Sequence, residues 1–274
     1  MTSADPHALP IMDGATRLFA IVGHPIAQVR SPRVLTEKLR ARGLNDIVIP
    51  VHALPDTFDE AMRGLMGLGN LDGLIFTVPY KVRAVPYADT LLTTGRQVGA
   101  INVLRREDDG TWTGDMFDGR GMTRGLANQG DDVRGLSVLL LGAGGAGSAI
   151  ACALAEAGAK SVTLYDIDAP KARALAERVG GAFPQCKVET GGPRLAGHDV
   201  LINATPIGMK DTDGLPADVG PLDGVKIVGD VIVLAKPTPL LREAQARGCH
   251  TMDGIGMHTG QADEIVDFFR PREK

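Results

Sequence analysis

Three side chains that can hold or move a proton follow short apolar segments in the first half of the sequence. Lys81 lies just past residues 73–77 and a proline, Asn102 ends the segment 99–102, and Asp118 ends the segment 114–118. A lysine amine and a carboxylate can exchange protons with a hydroxyl. Taken singly, they could be a surface charge, a turn residue and a helix cap. Ligand-binding residues gather at such positions in open α/β sheets, but for each residue alone the ordinary structural explanation is favoured.

A glycine-rich turn in the second half has the spacing of a dinucleotide-binding loop. It follows the apolar residues 139–141 and opens an alanine-rich helix. In that context G-x-G-x-x-G gives a tight turn, close approach to a pyrophosphate, and close packing of helix on strand, with the helix N-terminus facing the phosphate charge. The alternative is a glycine turn without a ligand. The residues of the loop are Gly142, Gly144, Gly145, Ala146 and Gly147.

An acidic residue follows the glycine loop by about twenty residues, as recognition of a ribose 2′-hydroxyl requires. Asp166 ends the next apolar segment, and no arginine lies among residues 165–170. A carboxylate accepts hydrogen bonds from ribose hydroxyls and repels a 2′-phosphate. The sequence therefore predicts NAD over NADP, and Arg173, about one helical turn onward, is the residue that could reverse this preference.

The elements that carry these residues alternate between strands and helices, which predicts an α/β fold. Ser31 is expected to cap a helix over residues 31–42 because Pro32 follows it. A glycine-rich, polar segment over residues 118–135 separates two series. Strands are predicted at residues 19–23, 46–51, 73–77, 101–105, 138–141, 161–165, 200–203 and 226–231, and further helices at 57–68, 146–157 and 170–179.

Composition indicates a globular enzyme. The 274 residues are 44% hydrophobic and 23% charged, with a formal net charge of −4, which disfavours a nucleic-acid partner. No apolar run is long enough to cross a membrane and no signal peptide is apparent, so we expect a cytoplasmic protein with a loose leader over residues 1–15. No metal site is expected, because ligand spacing is lacking around His24, His52, His198, His250 and His258.

Seven segments occur in the order found in the shikimate/quinate dehydrogenase family, and residues 18–269 resemble that family. The resemblance implies a substrate-binding α/β domain over residues 1–120, a Rossmann-like NAD(P)-binding domain over 121–250, and a C-terminal helix over 251–274 that returns to the first domain. The active site would lie in the cleft between the domains, in a monomer or homodimer. The segments are residues 23–32, 77–81, 99–102, 114–118, 203–209, 238–241 and 254–261.

The resemblance also implies a role for each matching residue. Lys81 and Asp118 would form the catalytic pair, with Lys81 moving the proton of a ring hydroxyl of shikimate, quinate or a related cyclic hydroxy acid while a hydride passes to the nicotinamide. The alternative is a cofactor-binding regulatory or sensor protein of the same fold. Substrate would be bound by Ser31, Thr77, Asn102 and Gln261, and the nicotinamide end of the cofactor would lie near Thr205, Pro206 and Gly254.

Several positions that are polar in the family are apolar in this sequence. Val29 replaces one of two hydroxyl residues that would hold the substrate carboxylate, and Arg30 could supply that contact instead. A pocket that loses several hydrogen bonds, each contributing about 1 kcal/mol, binds a polyhydroxylated acid less well. We hypothesise a less polar or differently substituted substrate, unless these side chains point away from the ligand. The other altered positions are Ile75, Met116, Phe117 and Val233.

Overall fold

The computed structural model describes residues 12–210 and 212–271, and its first sheet has six strands. The sheet order is β2-β1-β3-β5-β6-β4. Three helices belong to this half: α1 (Ser31–Ala41), α2 (Phe58–Met66) and α3 (Thr93–Val98). The strands are β1 (Arg17–Gly23), β2 (Asp46–His52), β3 (Leu71–Phe76), β4 (Thr90–Leu91), β5 (Val103–Arg106) and β6 (Trp112–Asp115).

The second sheet also has six strands, and each of its pairs is parallel. They are β7 (Ser137–Leu141), β8 (Ser161–Tyr165), β9 (Lys187–Thr190), β10 (Val200–Asn203), β11 (Ile227–Asp230) and β12 (His250–Met252). The order β12-β11-β10-β7-β8-β9 is that of dinucleotide-binding sheets. Successive strands are added on one side of β7 up to β9, and then on the other side from β10 onward, so the strand order reverses between β7 and β10. Ligands bind outside the carboxyl ends of the strands at such a point.

Helices link and cover the second sheet: α4 (Asp118–Asn128), α5 (Gly145–Glu156), α6 (Ala169–Ala182), α7 (Pro239–Ala246) and α8 (Gly254–Phe269). The last of these packs against α4 and α1, and its end joins the core of the first sheet. There the rings of Phe19 and Phe269 lie 4.6 Å apart, centroid to centroid. The C-terminal helix thus connects the second half of the chain to the core of the first.

Strand direction explains how distant residues of the first sheet meet. β5 runs antiparallel to both β3 and β6, while β1, β2 and β3 are parallel. The carboxyl end of β3, the amino end of β5 and the carboxyl end of β6 therefore lie at one edge. Lys81 follows β3, Asn102 precedes β5 and Asp118 follows β6, so the three reach the same place.

The predicted fold class is confirmed: two α/β units, the second with the Rossmann-like strand order. The strands at residues 161–165 and 200–203 are found as predicted, and the other predicted strands and helices differ only at their ends. Four strands were missed, namely β4, β6, β9 and β12. Their segments are short, with two to four residues each, so they carry little periodic signal.

Three helices, α3, α4 and α7, were not predicted. The glycines of α4 favour a loop in isolation, but they let neighbouring elements approach. A Cβ at Gly119 would lie 2.1 Å from the Ala149 carbonyl oxygen of α5, and one at Gly121 would lie 2.7 Å from the Met257 oxygen of α8. The glycines that weaken the local preference for helix are thus required by packing.

Two local expectations need correction. Ser31 does not cap α1: the cap position is Arg30 and no side chain caps the helix, so Pro32 occupies the second helical position rather than the first. Residues 1–11 of the predicted leader lie outside the described residues, but residues 12–15 form a turn in which Asn45 Nδ2 donates to Asp13 Oδ1 at 2.8 Å. Among the described residues no helix is long and apolar enough to cross a membrane.

Candidate active site

A lysine and an aspartate form an ion pair at the edge where the first sheet faces the second. Lys81 Nζ donates to Asp118 Oδ2. The Asp118 side chain is 2% exposed and that of Lys81 is 15% exposed, so the carboxylate is enclosed while the amine remains accessible from the cleft. The turn that carries Lys81 is anchored by Tyr80, whose hydroxyl donates to the Ala53 carbonyl oxygen at 2.6 Å.

Asn102 joins the ion pair to α8. Its Oδ1 accepts from the Phe117 backbone N–H at 2.9 Å, and its Nδ2 donates to Asp118 Oδ1 at 2.9 Å and to Gln261 Oε1 at 3.2 Å. Both oxygens of the Asp118 carboxylate are therefore bonded. Asn102 and Gln261 are each only 2% exposed. This network fixes the position of the carboxylate and, through it, that of the Lys81 amine.

A cavity of about 530 Å³ lies between the two sheets and contains this network on its wall. A second lobe of about 690 Å³ adjoins it and is lined mainly by apolar side chains of α1 and α8. The residues that line both lobes are Val29, Arg30, Ser31, Leu35, Val233, His258 and Ile265. The first lobe brings together these predicted site residues: Ser31, Thr77, Lys81, Asn102, Asp118, Gly144, Gly145, Ala146, Thr205, Pro206 and Gln261.

The glycine loop forms the opposite wall and has almost no side chains. Gly142 has a φ of +98°, a conformation that favours glycine, and a Cβ there would lie 2.9 Å from the Ala204 carbonyl oxygen. A Cβ at Gly147 would lie 2.0 Å from the Gly142 oxygen. Around Gly144 there is open space, while a Cβ at Gly145 would contact the Lys81 Cβ at 3.1 Å. The backbone can thus approach a bound pyrophosphate beside the lysine.

Asp166 lies beside the glycine loop at the end of β8. Its Oδ2 accepts from the Ala143 backbone N–H at 2.7 Å, and its Oδ1 accepts from that of Asp168 at 2.9 Å. Asp168 caps α6 by accepting from the Lys171 N–H at 3.2 Å. Arg173 is exposed on the same helix. Asp166 does not line the cavity itself. Its carboxylate is held against the backbone of the glycine loop at Ala143.

The turn after β10 is held by buried polar side chains that the sequence did not reveal. Asn203 Oδ1 accepts from the Thr205 hydroxyl at 2.7 Å, and Asn203 Nδ2 donates to Asp230 Oδ1 at 3.1 Å. The Thr238 hydroxyl donates to the other Asp230 oxygen at 2.7 Å. Burial raises the pKa of Asp230 to about 6, although these donors oppose the rise. The spacing of Asn203 and Thr205, typical of an Asx turn, was the available signal.

Gly254 has a packing role rather than a place in the cavity wall. It begins α8, and its N–H donates to the Ile232 carbonyl oxygen at 3.1 Å. A Cβ there would lie 2.5 Å from the Val231 oxygen. It is absent from the residues that line either lobe. Gly254 thus allows α8 to start against the residues that follow β11, and its place near the nicotinamide stays a prediction.

The apolar replacements divide into two groups. Val29, Ile75 and Val233 line the cavity. Met116 is fully buried in the core of the second sheet, and the Phe117 ring packs against Phe268 with centroids 5.6 Å apart. The expectation that all five positions alter the pocket is thus wrong for the last two, because the backbone preceding Asp118 turns both side chains into the protein while the carboxylate faces Lys81.

Two further residues of the cavity carry polar groups. The Ser31 hydroxyl forms no hydrogen bond with any described residue and is free to meet a ligand. His258, for which the sequence gave no role, lines both lobes. Its position three residues before Gln261 on a helix places the two on one face, and this spacing was the signal that could have identified it. Among the described residues no cluster of three or more His, Cys, Asp or Glu could hold a metal ion.

Comparison with known proteins gives consistent matches over most of the chain. Residues 21–104 match the shikimate dehydrogenase substrate binding domain, and residues 126–208 match shikimate/quinate 5-dehydrogenase. A shikimate dehydrogenase (NADP(+)) of Rhodospirillum rubrum is 34% identical over 259 residues, which cover 92% of this chain and 91% of that protein.

Two solved structures superpose over nearly the whole chain. Shikimate 5-dehydrogenase from Listeria monocytogenes, in complex with shikimate and NAD, has a TM-score of 0.83 at 27% identity, covering 96% of this chain and 94% of that one. Quinate dehydrogenase from Corynebacterium glutamicum, in complex with NAD, has a TM-score of 0.83 at 29% identity, covering 94% and 95%. The likeness therefore includes both sheets and the cleft between them.

Proposed function

The chain belongs to the shikimate/quinate dehydrogenase family, and we propose that it transfers a hydride reversibly between a nicotinamide dinucleotide and a ring hydroxyl of shikimate, quinate or a related cyclic hydroxy acid. The observation that carries this proposal is the closeness of the proton-moving pair to the glycine loop. A Cβ at Gly145 would lie 3.1 Å from the Lys81 Cβ. An amine from the first sheet and a dinucleotide loop from the second thus face one cavity.

In the oxidation direction Lys81, as the neutral amine, accepts the proton of the reacting hydroxyl and becomes the ammonium that pairs with Asp118. In the reduction direction that ammonium returns the proton to the substrate oxygen. A nicotinamide bound against the glycine loop would supply the hydride chemistry. Asp118 holds the amine in place through one oxygen and is itself held by Asn102 through the other. The Gly142–Gly147 turn has the φ angle and the lack of side chains that a pyrophosphate cradle requires, so the residues present fit a dinucleotide.

For the cofactor, we propose NAD in preference to NADP. Asp166 is the residue that supports this choice, since its carboxylate stands beside the glycine loop with no arginine among residues 165–170. A carboxylate accepts hydrogen bonds from ribose hydroxyls and repels a 2′-phosphate. The Rhodospirillum relative is named for NADP, and the similar solved structures include complexes with NAD and complexes with NADP. The preference of this chain therefore depends on its own Asp166.

The pocket supports a substrate that is less polar than shikimate or differently substituted. Val29, Ile75 and Val233 present apolar surface to the cavity. Each hydrogen bond that these positions cannot make weakens binding of a polyhydroxylated acid by about 1 kcal/mol. Ser31 and Arg30 remain at the same end of the cavity and can contact a carboxylate. We therefore expect shikimate and quinate to be accepted with high KM values.

The proposed division of the chain follows the two sheets. The proposal places the substrate-binding domain within residues 1–120, the dinucleotide-binding domain within 121–250 and the returning helix within 251–274. The contacts of α8 with α1 and α4 support the last assignment. A monomeric or homodimeric state and a cytoplasmic location remain predictions.

Steady-state oxidation of shikimate and quinate, each with NAD and with NADP, tests the proposed function. We expect turnover with at least one of the two acids and a higher kcat/KM with NAD. Absence of turnover with either acid and either cofactor, together with tight binding of NADH, would contradict the proposal and favour the regulatory or sensor protein. The relatives described above are named as dehydrogenases, which argues against that alternative.

A further inference from the structure

His258 occupies the junction of the two lobes of the cavity. It lies on α8 and is exposed to the cavity, while Gln261, one turn later, is buried in the Asn102 network. Among the residues that line both lobes with it, Val29, Val233 and Ile265 are apolar, while Arg30 and Ser31 carry polar groups. A polar ring in such surroundings is a group that a substrate oxygen would meet.

The hydrogen-bond network fixes which ring nitrogen carries the proton. The Phe117 backbone N–H can only donate, so Asn102 Oδ1 accepts from it and Asn102 Nδ2 must donate to Gln261 Oε1. That bond orients the Gln261 amide, whose Nε2 then donates to His258 Nδ1 at 3.3 Å. Since Nδ1 accepts, the proton of a neutral ring is on Nε2.

The surroundings of the ring favour its neutral form. Burial by the protein atoms around it lowers the pKa of His258, and the Lys81 ammonium adds to this, while the Asp118 carboxylate opposes it. His258 Nε2 has no hydrogen-bond partner among the described residues. The ring therefore presents one fixed N–H donor toward the cavity. A pocket with a donor fixed in this way rejects a ligand that has no acceptor oxygen at that point, because the donor would then be left unpaired.

We propose that His258 is a specificity-determining residue that donates its Nε2–H to a carboxylate or hydroxyl oxygen of the substrate at the junction of the lobes. This inference rests on the proposed function and deepens it. His258 supplies a hydrogen-bond donor in the part of the pocket that also contains Val29 and Val233, whose side chains form no hydrogen bonds. The substrate class is a cyclic hydroxy acid with an acceptor oxygen at this point and an apolar edge toward the second lobe.

Three substitutions separate the donor from the network. His258→Gln places an amide Nε2 near the position of the ring Nε2 and keeps the donor but loses the bond from Gln261. His258→Asn keeps an acceptor near the position of Nδ1 and loses the donor to the cavity. His258→Leu loses both. His250→Leu is the matched control, because that histidine is exposed on β12 and bonded to Asp131.

Kinetics with quinate, shikimate and NAD, with NADH affinity measured for each variant, distinguish the outcomes. We expect KM to rise about tenfold in His258→Asn and His258→Leu, to change little in His258→Gln and His250→Leu, and kcat to change less than KM in all four. KM values equal to that of the wild type in all variants would overturn the inference. Turnover by the wild-type enzyme in the same experiment would still support the proposed function. A loss in His258→Gln alone would show a structural role through Gln261 and would also overturn it.

The tautomer is tested independently of turnover. A long-range ¹H–¹⁵N spectrum of the wild-type protein should show His258 protonated on Nε2 only, with the Nε2–H signal shifting when quinate is added to the NADH-bound protein. Protonation on Nδ1 would overturn the inference. If the wild-type enzyme oxidises neither acid with either cofactor, the proposed function fails and this inference falls with it.

Discussion

One wall of the cleft is built from side chains, and the opposite wall is built from backbone. The wall from the first sheet consists of side chains: Lys81, Asn102 and Asp118 meet through hydrogen bonds at the ends of three strands. The wall from the second sheet consists of backbone, with Gly142 and Gly145 keeping space free. The first wall should therefore fail when atoms are removed, and the second when atoms are added.

The largest effect is expected from removing the proton-moving group of the first wall. Lys81→Ala should lower kcat about a thousandfold, because general acid–base catalysis contributes on this scale. NADH affinity should stay close to that of the wild type, since the glycine loop is untouched. Steady-state turnover and NADH fluorescence titration measure the two effects. Lys187→Ala, an exposed lysine paired with Glu189, serves as the control; survival of activity in Lys81→Ala would refute the proton-transfer assignment.

Adding one methyl group to the second wall should give the next largest effect. In Gly142→Ala the new Cβ meets the Ala204 carbonyl oxygen at 2.9 Å with the backbone at a φ of +98°. We expect NADH affinity to fall about a hundredfold, because relieving strain of about 1–3 kcal/mol moves the loop. Gly248→Ala, at a φ of +77° with nothing within 4 Å, carries similar backbone strain without the clash. Equal NADH affinity in both variants would contradict a backbone-built wall.

Buried side chains of the second half hold the backbone turn at Thr205, and Asp230 is one of them. The dependence of the unfolding free energy on pH tests its contribution. Its raised pKa, about 6 against 3.8, means that its favourable contribution to stability is present below pH 3.8 and is lost as the pH rises through 6. Asp230→Asn should remove that dependence of the unfolding free energy on pH, on the order of 3 kcal/mol, in urea unfolding measured across this range.

Asp199 provides a comparison in which the pKa shift, and therefore the dependence of stability on pH, has the opposite sign. The Ser137 N–H, followed by Lys226, lowers its pKa, so its contribution is present above pH 3.8 and is lost at lower pH. Asp199→Asn should therefore lower stability at neutral pH and have less effect in acid. An unchanged pH profile in Asp230→Asn would mean that the buried carboxyl does not titrate in this range.

The smallest effect concerns cofactor choice. Asp166→Asn removes the charge that repels a 2′-phosphate, and we expect the ratio of kcat/KM values for NAD and NADP to shift about tenfold toward NADP. Asp168→Asn is the matched control, since Asp168 caps α6 and lies two residues on. The idea fails if the wild type already prefers NADP, or if Asp168→Asn shifts the ratio as much as Asp166→Asn does.

The glycine loop of the second half was easier to predict from the sequence than the ion-pair site of the first half. The glycine loop and Asp166 belong to one strand–turn–helix unit, so their spacing along the chain contains most of the geometry. In the first half, Lys81, Asn102 and Asp118 meet because β5 and β6 reverse direction, and no local pattern indicates this. The family resemblance, rather than spacing, identified those residues as one site.

What the sequence could not show was the direction of side chains. Met116 and Phe117 precede Asp118 and were expected in the pocket, yet both are buried. His258 was assigned no role and lies in the cavity. Asn203 and Asp230 are fully buried and hold the Thr205 turn, a role that depends on contacts across two strands. Single positions near a site thus need the fold before their roles can be stated.

The most direct test of the central claim follows the hydride itself. Quinate and shikimate deuterated at the carbon of the reacting hydroxyl should give NADH that contains deuterium at C4 of the nicotinamide ring. The same single-turnover experiment with Lys81→Ala, at saturating NAD, should give almost none. We therefore predict that deuterium is transferred to the cofactor and that this transfer depends on Lys81, because the lysine and the nicotinamide act on the same carbon of the substrate. NADH without deuterium, or equal transfer in Lys81→Ala, would contradict it.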